Sequence, residues 1–110
     1  MKITEWNQRH VEYFPVGEGW RPLVEKLVCD IAAIDTEVTV SQVKEKFGGL
    51  RFYIYGGSDE VWKLIAEAEE ASYRICEECG AKGKQQSKAK YGWIYTRCEE
   101  CWKKLCEEIK

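Results

Sequence analysis

The residues best suited to chemistry in this sequence are two C-x-x-C pairs, Cys76/Cys79 and Cys98/Cys101, with 18 residues between them. Two residues between thiols allow a tight turn that directs both sulfurs at one ion, and the interval between the pairs is typical of four-cysteine zinc sites. Gly80, which follows the first pair, allows the backbone to reverse beneath the ion. The spacing therefore predicts one zinc ion bound by all four thiolates.

Such a zinc ion would have a structural role. Four thiolates complete the tetrahedral coordination sphere, whereas a catalytic zinc keeps an open position for water. Two unrelated redox dithiols are the alternative interpretation, but a redox C-x-x-C does not need a second pair at this interval.

Cys29 and Cys106 are predicted to be buried core thiols outside the site. We identify no candidate catalytic residues and expect a protein that is not an enzyme.

The two cysteine pairs differ in the sequence that follows them. Gly80 ends the first pair, whereas the second continues into a segment of helical character. This asymmetry favours a treble clef, with a knuckle at Cys76 to Gly80, a hairpin, and a last helix that carries Cys98 and Cys101 at its first turn. A symmetric zinc ribbon is the alternative. Residues 76–110 are thus predicted to form a zinc finger.

Amphipathic helices are predicted over residues 20–35 and 58–75. Pro22 suits the first turn of the first helix, and Ser58 is a candidate N-cap for the second. Apolar residues recur at spacings of three and four in both. The predicted buried stripes consist of Trp20, Leu23, Val24, Leu27, Val28, Ile31 and Ile34, and of Val61, Ile65, Ala68, Ser72 and Ile75.

A β-hairpin is predicted over residues 37–55, where β-branched and aromatic residues are frequent. Gly48-Gly49 is the expected two-residue turn, because such turns require positive φ. Pairing Phe47 with Leu50 places apolar residues on one face, which consists of Val43, Phe47, Leu50, Phe52 and Ile54. Glu45 falls on that same face, which the pattern leaves unexplained.

Two features complicate the first strand. Val38 and Val40 are out of phase with Val43, which predicts a β-bulge. A short helix from Ser41 to Phe47 is the alternative to that strand. With either outcome, residues 1–75 form an α+β core, and we expect the finger to pack on it as one compact unit.

The other face of the predicted hairpin carries cations beside aromatic rings. Its members are Lys44, Lys46, Arg51, Tyr53 and Tyr55. Such a combination can bind an acidic protein surface, a phosphate or a nucleotide base, so we take these residues as a candidate partner-binding face. A solvated strand face with no partner, or a face packed beneath the N-terminal segment, is the alternative.

Basic residues also cluster between the two cysteine pairs. Residues 80–97 contain no acid and five cations, which are Lys82, Lys84, Lys88, Lys90 and Arg97. These are candidate nucleic-acid contacts. The formal net charge is −2, so the rest of the chain carries −7, and this acidic surrounding disfavours non-specific binding of polyphosphate.

Several motifs together resemble a widespread family of small phage and bacterial proteins. They are G-E-G-W from Gly17, V-K-E-K-F-G-G-L-R-F-Y from Val43, C-E-E-C-G from Cys76 and G-W-I-Y-T-R-C ending at Cys98. Many relatives have His as the last ligand, so Cys101 differs in identity and remains a possible zinc ligand. The resemblance implies a zinc-finger end and a mobile-element origin, and it implies no activity.

Three function classes follow from these observations. The first is a zinc-stabilised module that binds a host or phage protein, with inhibition of that protein, as by an antagonist of host defence, as one form of this function. The second is a nucleic-acid-binding accessory protein, and the third is a protein that binds or sequesters a nucleotide or other small ligand. The sequence contains no apolar run long enough for a membrane span or a signal peptide. We therefore expect a cytoplasmic protein, located in the bacterial host if it is phage-encoded.

Overall fold

The structure is a computed structural model that describes residues 1–6, 14–87 and 94–108. Its elements confirm an α+β fold with a helix, an antiparallel hairpin, a second helix and a finger-like C-terminal part. In chain order they are α1 (Arg21–Ile34), β1 (Thr39–Lys46), β2 (Gly49–Tyr55), α2 (Asp59–Ser72), β3 (Lys84–Ser87), β4 (Ile94–Arg97) and α3 (Glu99–Glu108). Within these described ranges, no helix is long and apolar enough to cross a membrane.

Helix α1 follows a 3-10 turn at Glu18–Trp20 and has a proline in its first turn. The predicted stripe is buried through Ile31 except for Leu23, which is half-buried. Ile34 is 41% exposed because the helix ends there and the chain becomes extended at Asp35. Cys29 is also exposed, so the prediction of a core thiol is wrong there. It lies beside the buried Val28 but on the side of the helix that faces solvent.

Helix α2 begins one residue after Ser58, which occupies the N-cap position without a side-chain capping hydrogen bond. Its buried residues are those predicted, namely Val61, Ile65, Ala68 and Ser72. The helix ends at Ser72, three residues earlier than expected, and Ile75 is only half-buried. Helix α2 packs against both α1 and β2.

The hairpin turn consists of Phe47 and Gly48, since Lys46 pairs with Gly49. The predicted Gly48-Gly49 turn is therefore wrong. Phe47 has φ 55° and Gly48 has φ 78°, so both central residues have the positive φ of a type I′ turn. Gly49 serves packing instead, because a Cβ there would lie 2.4 Å from the Tyr73 hydroxyl oxygen.

The observed register places Val43 opposite Phe52 and Glu45 opposite Leu50. Apart from Phe47, the predicted apolar face is buried, and the predicted bulge lies between Val40 and Gln42. The helical alternative for this segment is excluded. Glu45 shares the buried side because its carboxylate accepts a hydrogen bond of 2.8 Å from the Gly48 N–H.

At both outer edges of the hairpin, other segments supply hydrogen-bond partners for some of the backbone groups. On β2, the Leu50 N–H donates to the Ser72 hydroxyl and the Phe52 N–H donates to the Glu69 carboxylate, each at 2.9 Å. On the other side, the Ile3 N–H donates to the Val38 carbonyl at 2.9 Å. Part of each edge is thereby covered, and on the outward face of the hairpin Tyr53 and Tyr55 remain exposed.

The N-terminal segment places aromatic side chains on the core. Trp6 and Phe14 are buried, and the Trp6 and Phe52 ring centroids are 6.0 Å apart. Trp20 is fully buried, and its indole N–H donates to the Ile75 carbonyl at 2.8 Å. This bond connects the start of α1 to the segment that enters the first cysteine pair.

Candidate metal centre

The first cysteine pair lies in a tight turn between α2 and β3. The Gly80 N–H donates to the Cys76 carbonyl at 2.9 Å, and Gly80 has φ 83°, a value that glycine adopts without strain. Cys76 is buried, whereas Cys79 is exposed. The predicted knuckle is therefore present.

The second pair lies where β4 passes into α3. Cys98 follows the strand directly, and Cys101 is buried in the first turn of the helix. The order of knuckle, hairpin and ligand-bearing helix is that of a treble clef, whereas a zinc ribbon has no such helix. Cys106, one turn and a half further along α3, lies outside the cluster as predicted. It is only half-buried, so the prediction of a buried core thiol is wrong there as well.

The four sulfurs form a compact group whose members all lie within 4.8 Å of one another. Cys79 Sγ and Cys98 Sγ are 3.7 Å apart, which is too far for a disulfide. Tetrahedral zinc with sulfur ligands at about 2.3 Å places the sulfurs about 3.8 Å apart. The donor set and its spacing therefore fit a tetrahedral metal ion.

The electrostatics of the site also favour a bound cation. Burial acts to raise the pKa of Cys76, but backbone N–H groups of Cys98, Cys79 and Glu78 lower it to about 7. Burial and the neighbouring thiols raise the pKa of Cys101 to about 12. The Cys101 thiol therefore loses its proton readily only when a cation compensates the charge of the thiolate.

Glu77, inside the first C-x-x-C, connects the knuckle to β4. Its N–H donates to the Thr96 carbonyl at 2.9 Å, and its carboxylate accepts from the Thr96 N–H at 3.3 Å. Burial raises the pKa of Glu77, and Arg97 lies 3.4 Å from its carboxylate. The sequence pattern did not indicate this role, because neither the residue type nor its spacing distinguishes Glu77 from the exposed Glu78.

Thr96 in turn connects the finger to the hairpin turn. It is fully buried, and its hydroxyl donates to the Gly48 carbonyl. A Cβ on Gly48 would lie 3.1 Å from the Tyr95 backbone, so turn and strand are in close contact. Contacts thus run without interruption from the knuckle, through Glu77 and Thr96, to the tip of the hairpin.

We expect Thr96→Val to lower the free energy of unfolding by about 1 to 3 kcal/mol, because it leaves the Gly48 carbonyl buried without its donor. Thr36→Val, at an exposed position, is the control and should change stability by less than about 0.5 kcal/mol. Urea denaturation of both variants measures the difference. Equal effects would show that the hydroxyl contributes nothing to the contact between finger and hairpin.

Of the three candidate nucleic-acid contacts that the structure describes, two are paired with acids. The Arg97 side chain is 15% exposed and lies 3.4 Å from Glu77 and 3.6 Å from Glu78. Lys84 lies 3.3 Å from Glu99, and Lys82 is exposed. Lys88 and Lys90 are outside the described residues. The structure thus brings no continuous cationic surface together from the candidates it describes.

The candidate partner-binding face is largely accessible. Tyr53 and Tyr55 are 40% and 68% exposed, and the Lys44 ammonium lies 5.7 Å from the Tyr53 ring centroid. Lys46 is also exposed. Arg51 is half-buried, and a hydrogen bond with Tyr73 raises the pKa of its guanidinium.

Fold and site together define an α+β protein with a treble-clef-like finger built around a four-cysteine metal centre. Comparison of this chain with protein-family models, with curated proteins and with solved structures found no match. Function is therefore inferred from the geometry of the chain itself.

Proposed function

We propose that this protein is a zinc-stabilised, non-catalytic module that binds another protein through the exposed face of its hairpin. The observation that carries the proposal is the composition of that face. Glu45 is the only acid in β1 and β2, and it lies on the opposite side, bonded to Gly48. The exposed face therefore combines cations and tyrosines without any acid from its own strands.

Zinc is the metal that suits the centre best. Four soft thiolates in a tetrahedral arrangement select zinc or iron–sulfur chemistry among the common metals, and two C-x-x-C pairs in a treble clef are typical of zinc. Because the protein supplies four ligands, the ion has no open position for water or substrate. This closed sphere supports a structural role and argues against catalysis.

A rigid strand face supports binding better than the basic finger does. Side chains on paired strands have fixed positions, so less entropy is lost when a partner orders them. In the finger, Arg97 and Lys84 are already paired with carboxylates. Tyrosine and arginine are also the side chains that most often contribute strongly to protein–protein binding.

The sequence resemblance to phage and bacterial proteins indicates where the partner would be found. In a phage-encoded protein of this kind, the partner would be a host or phage protein in the bacterial cytoplasm. Binding could then inhibit that partner, and inhibition of a host defence protein is one such case.

We expect Tyr53→Ala to weaken partner binding by about 2 kcal/mol while changing the free energy of unfolding by about 0.5 kcal/mol or less. Lys44→Ala and Arg51→Ala should also weaken binding. The measurement is affinity capture from nuclease-treated bacterial lysate, with retained proteins identified by mass spectrometry and thermal unfolding measured in parallel. Cys79→Ser supplies a control in which the finger is unfolded.

The proposal fails if the same proteins are retained by wild type and by all three face variants. It also fails if nuclease treatment removes every retained component, because the partner is then a nucleic acid. Large losses of stability in the face variants would show that this face is packed and not free.

A further inference from the structure

Phe47, at the tip of the hairpin, is in an unfavourable position for its residue type. It has φ 55°, a conformation that aromatic residues rarely adopt, and its side chain is 60% exposed. Asparagine or glycine is preferred at the first of the two central residues of a type I′ turn, which is the place that Phe47 occupies. Neither the backbone conformation nor the burial of Phe47 favours phenylalanine at this position. A contribution to folding therefore does not explain this residue.

The tip that presents Phe47 is nevertheless firmly positioned. The Gly48 N–H donates to the Glu45 carboxylate at 2.8 Å, and the Gly48 carbonyl accepts from the buried Thr96 hydroxyl. Strand β4 lies against the turn and continues directly into Cys98. Because the backbone of the turn is already fixed, an exposed aromatic ring on it loses little conformational entropy when it contacts a partner.

The charges around Phe47 indicate the chemistry of that partner. The Lys46 ammonium lies 5.5 Å from the Phe47 ring centroid, and Lys44 lies 5.7 Å from the Tyr53 ring centroid on the same hairpin. Neither ammonium group forms an ion pair with a carboxylate of the described residues, so both can pair with carboxylates of a partner. An apolar side chain flanked by carboxylates would complement this surface.

We infer that Phe47 is the apolar anchor of the binding face, and that the face is occupied by an acidic protein segment with an aromatic or aliphatic side chain beside its carboxylates. This inference rests on the proposed function and adds the chemical class of the partner. Phe47 was expected in the core from its sequence pattern, so no candidate face included it.

The experiment is a selection from a fully randomised 12-residue peptide library against the zinc-loaded chain. The enriched peptides are synthesised, and their affinity is measured by fluorescence anisotropy for wild type, Phe47→Asn and Trp62→Asn. Trp62, on α2, is 45% exposed and serves as the matched aromatic control. We expect acidic peptides with an apolar side chain, at least tenfold weaker binding to Phe47→Asn, and less than a twofold change for Trp62→Asn.

Thermal unfolding separates loss of the anchor from loss of the fold. Asparagine adopts positive φ with less strain than phenylalanine does. Phe47→Asn should therefore melt at the same temperature as wild type or a few degrees higher. A lower melting temperature would show that Phe47 contributes to the fold, and it would overturn the inference even if binding were weakened.

Other outcomes would also overturn it. They are failure to enrich any peptide, enrichment of neutral or basic peptides, equal binding by Phe47→Asn, and tighter binding of a 20-nucleotide poly-dT strand than of the peptides. If Lys44→Ala and Tyr53→Ala weaken peptide binding but Phe47→Asn does not, the proposed function stands and the anchor is wrong. If none of the three weakens it, both are wrong.

Discussion

Cys98→Ser should unfold the finger, residues 76–110, and leave the core of α1, α2 and the hairpin at least partly formed. Cys98 joins β4 to α3, and its Sγ lies 3.7 Å from that of Cys79, so its loss removes one of the four ligands at the centre of the cluster. Binding of zinc contributes about 10 to 16 kcal/mol to folding in isolated zinc-finger peptides. Most of that contribution is lost when the site cannot close.

Amide hydrogen exchange distinguishes the two parts of the chain. Protection should disappear in β4 and α3 of Cys98→Ser, whereas amides near Val24, Leu27, Phe52 and Ile65 should remain protected because these side chains pack in a separate apolar cluster. Cys79→Ser should behave in the same way. Cys106→Ser, a half-buried thiol in the same helix, is the control and should keep protection in α3.

Persistent protection of residues 94–108 in Cys98→Ser would mean that the finger folds without its metal. Equal loss of protection in Cys106→Ser would mean that α3 tolerates no change at all, and that the cluster has no special importance for it. Either result would contradict the assignment of a structural metal centre.

Gly19→Ala should destabilise the protein by about 3 kcal/mol and weaken retention of zinc. A Cβ at Gly19 would lie 2.0 Å from the Cys76 carbonyl oxygen and 2.5 Å from the Gly80 nitrogen, which both belong to the backbone of the knuckle. The Gly19 N–H also donates to the Glu77 carbonyl at 2.9 Å. Alanine therefore forces the knuckle away from the start of α1 and weakens this bond.

Gly56→Ala is the control for the Gly19 substitution. Gly56 has φ 84°, but a Cβ at this position would have no neighbour within 4 Å. Alanine there therefore introduces backbone strain of about 1 to 2 kcal/mol without any clash. Urea denaturation of both variants gives the comparison. If Gly56→Ala were as destabilising as Gly19→Ala, close contact between α1 and the knuckle would not be important for stability.

The sequence pattern predicts the elements well where one physical signal dominates. The spacing of three and four identifies both core helices, and two C-x-x-C pairs with unequal continuations identify the treble-clef order. The bulge in β1 follows from the phase change between Val40 and Val43. These signals are local, so they can be recognised without knowledge of tertiary contacts.

The sequence-based predictions are wrong or incomplete where tertiary contacts determine the local structure. Two adjacent glycines suggested a turn at Gly48-Gly49, but Gly49 is needed beside Tyr73, so Phe47 takes the first turn position. The connection from Glu77 through Thr96 to Gly48 joins residues far apart in sequence and gives no periodic signal. The pairing of Arg97 with Glu77 and Glu78 is likewise visible only in three dimensions.

The most direct test of the central claim is elemental analysis combined with zinc X-ray absorption on protein purified without chelator. We predict one zinc per chain with four sulfur ligands at about 2.3 Å, because the four cysteines provide the complete coordination sphere. Protein that is folded and free of metal, or a zinc ion with nitrogen or oxygen in its first coordination shell, would contradict a structural four-cysteine zinc centre.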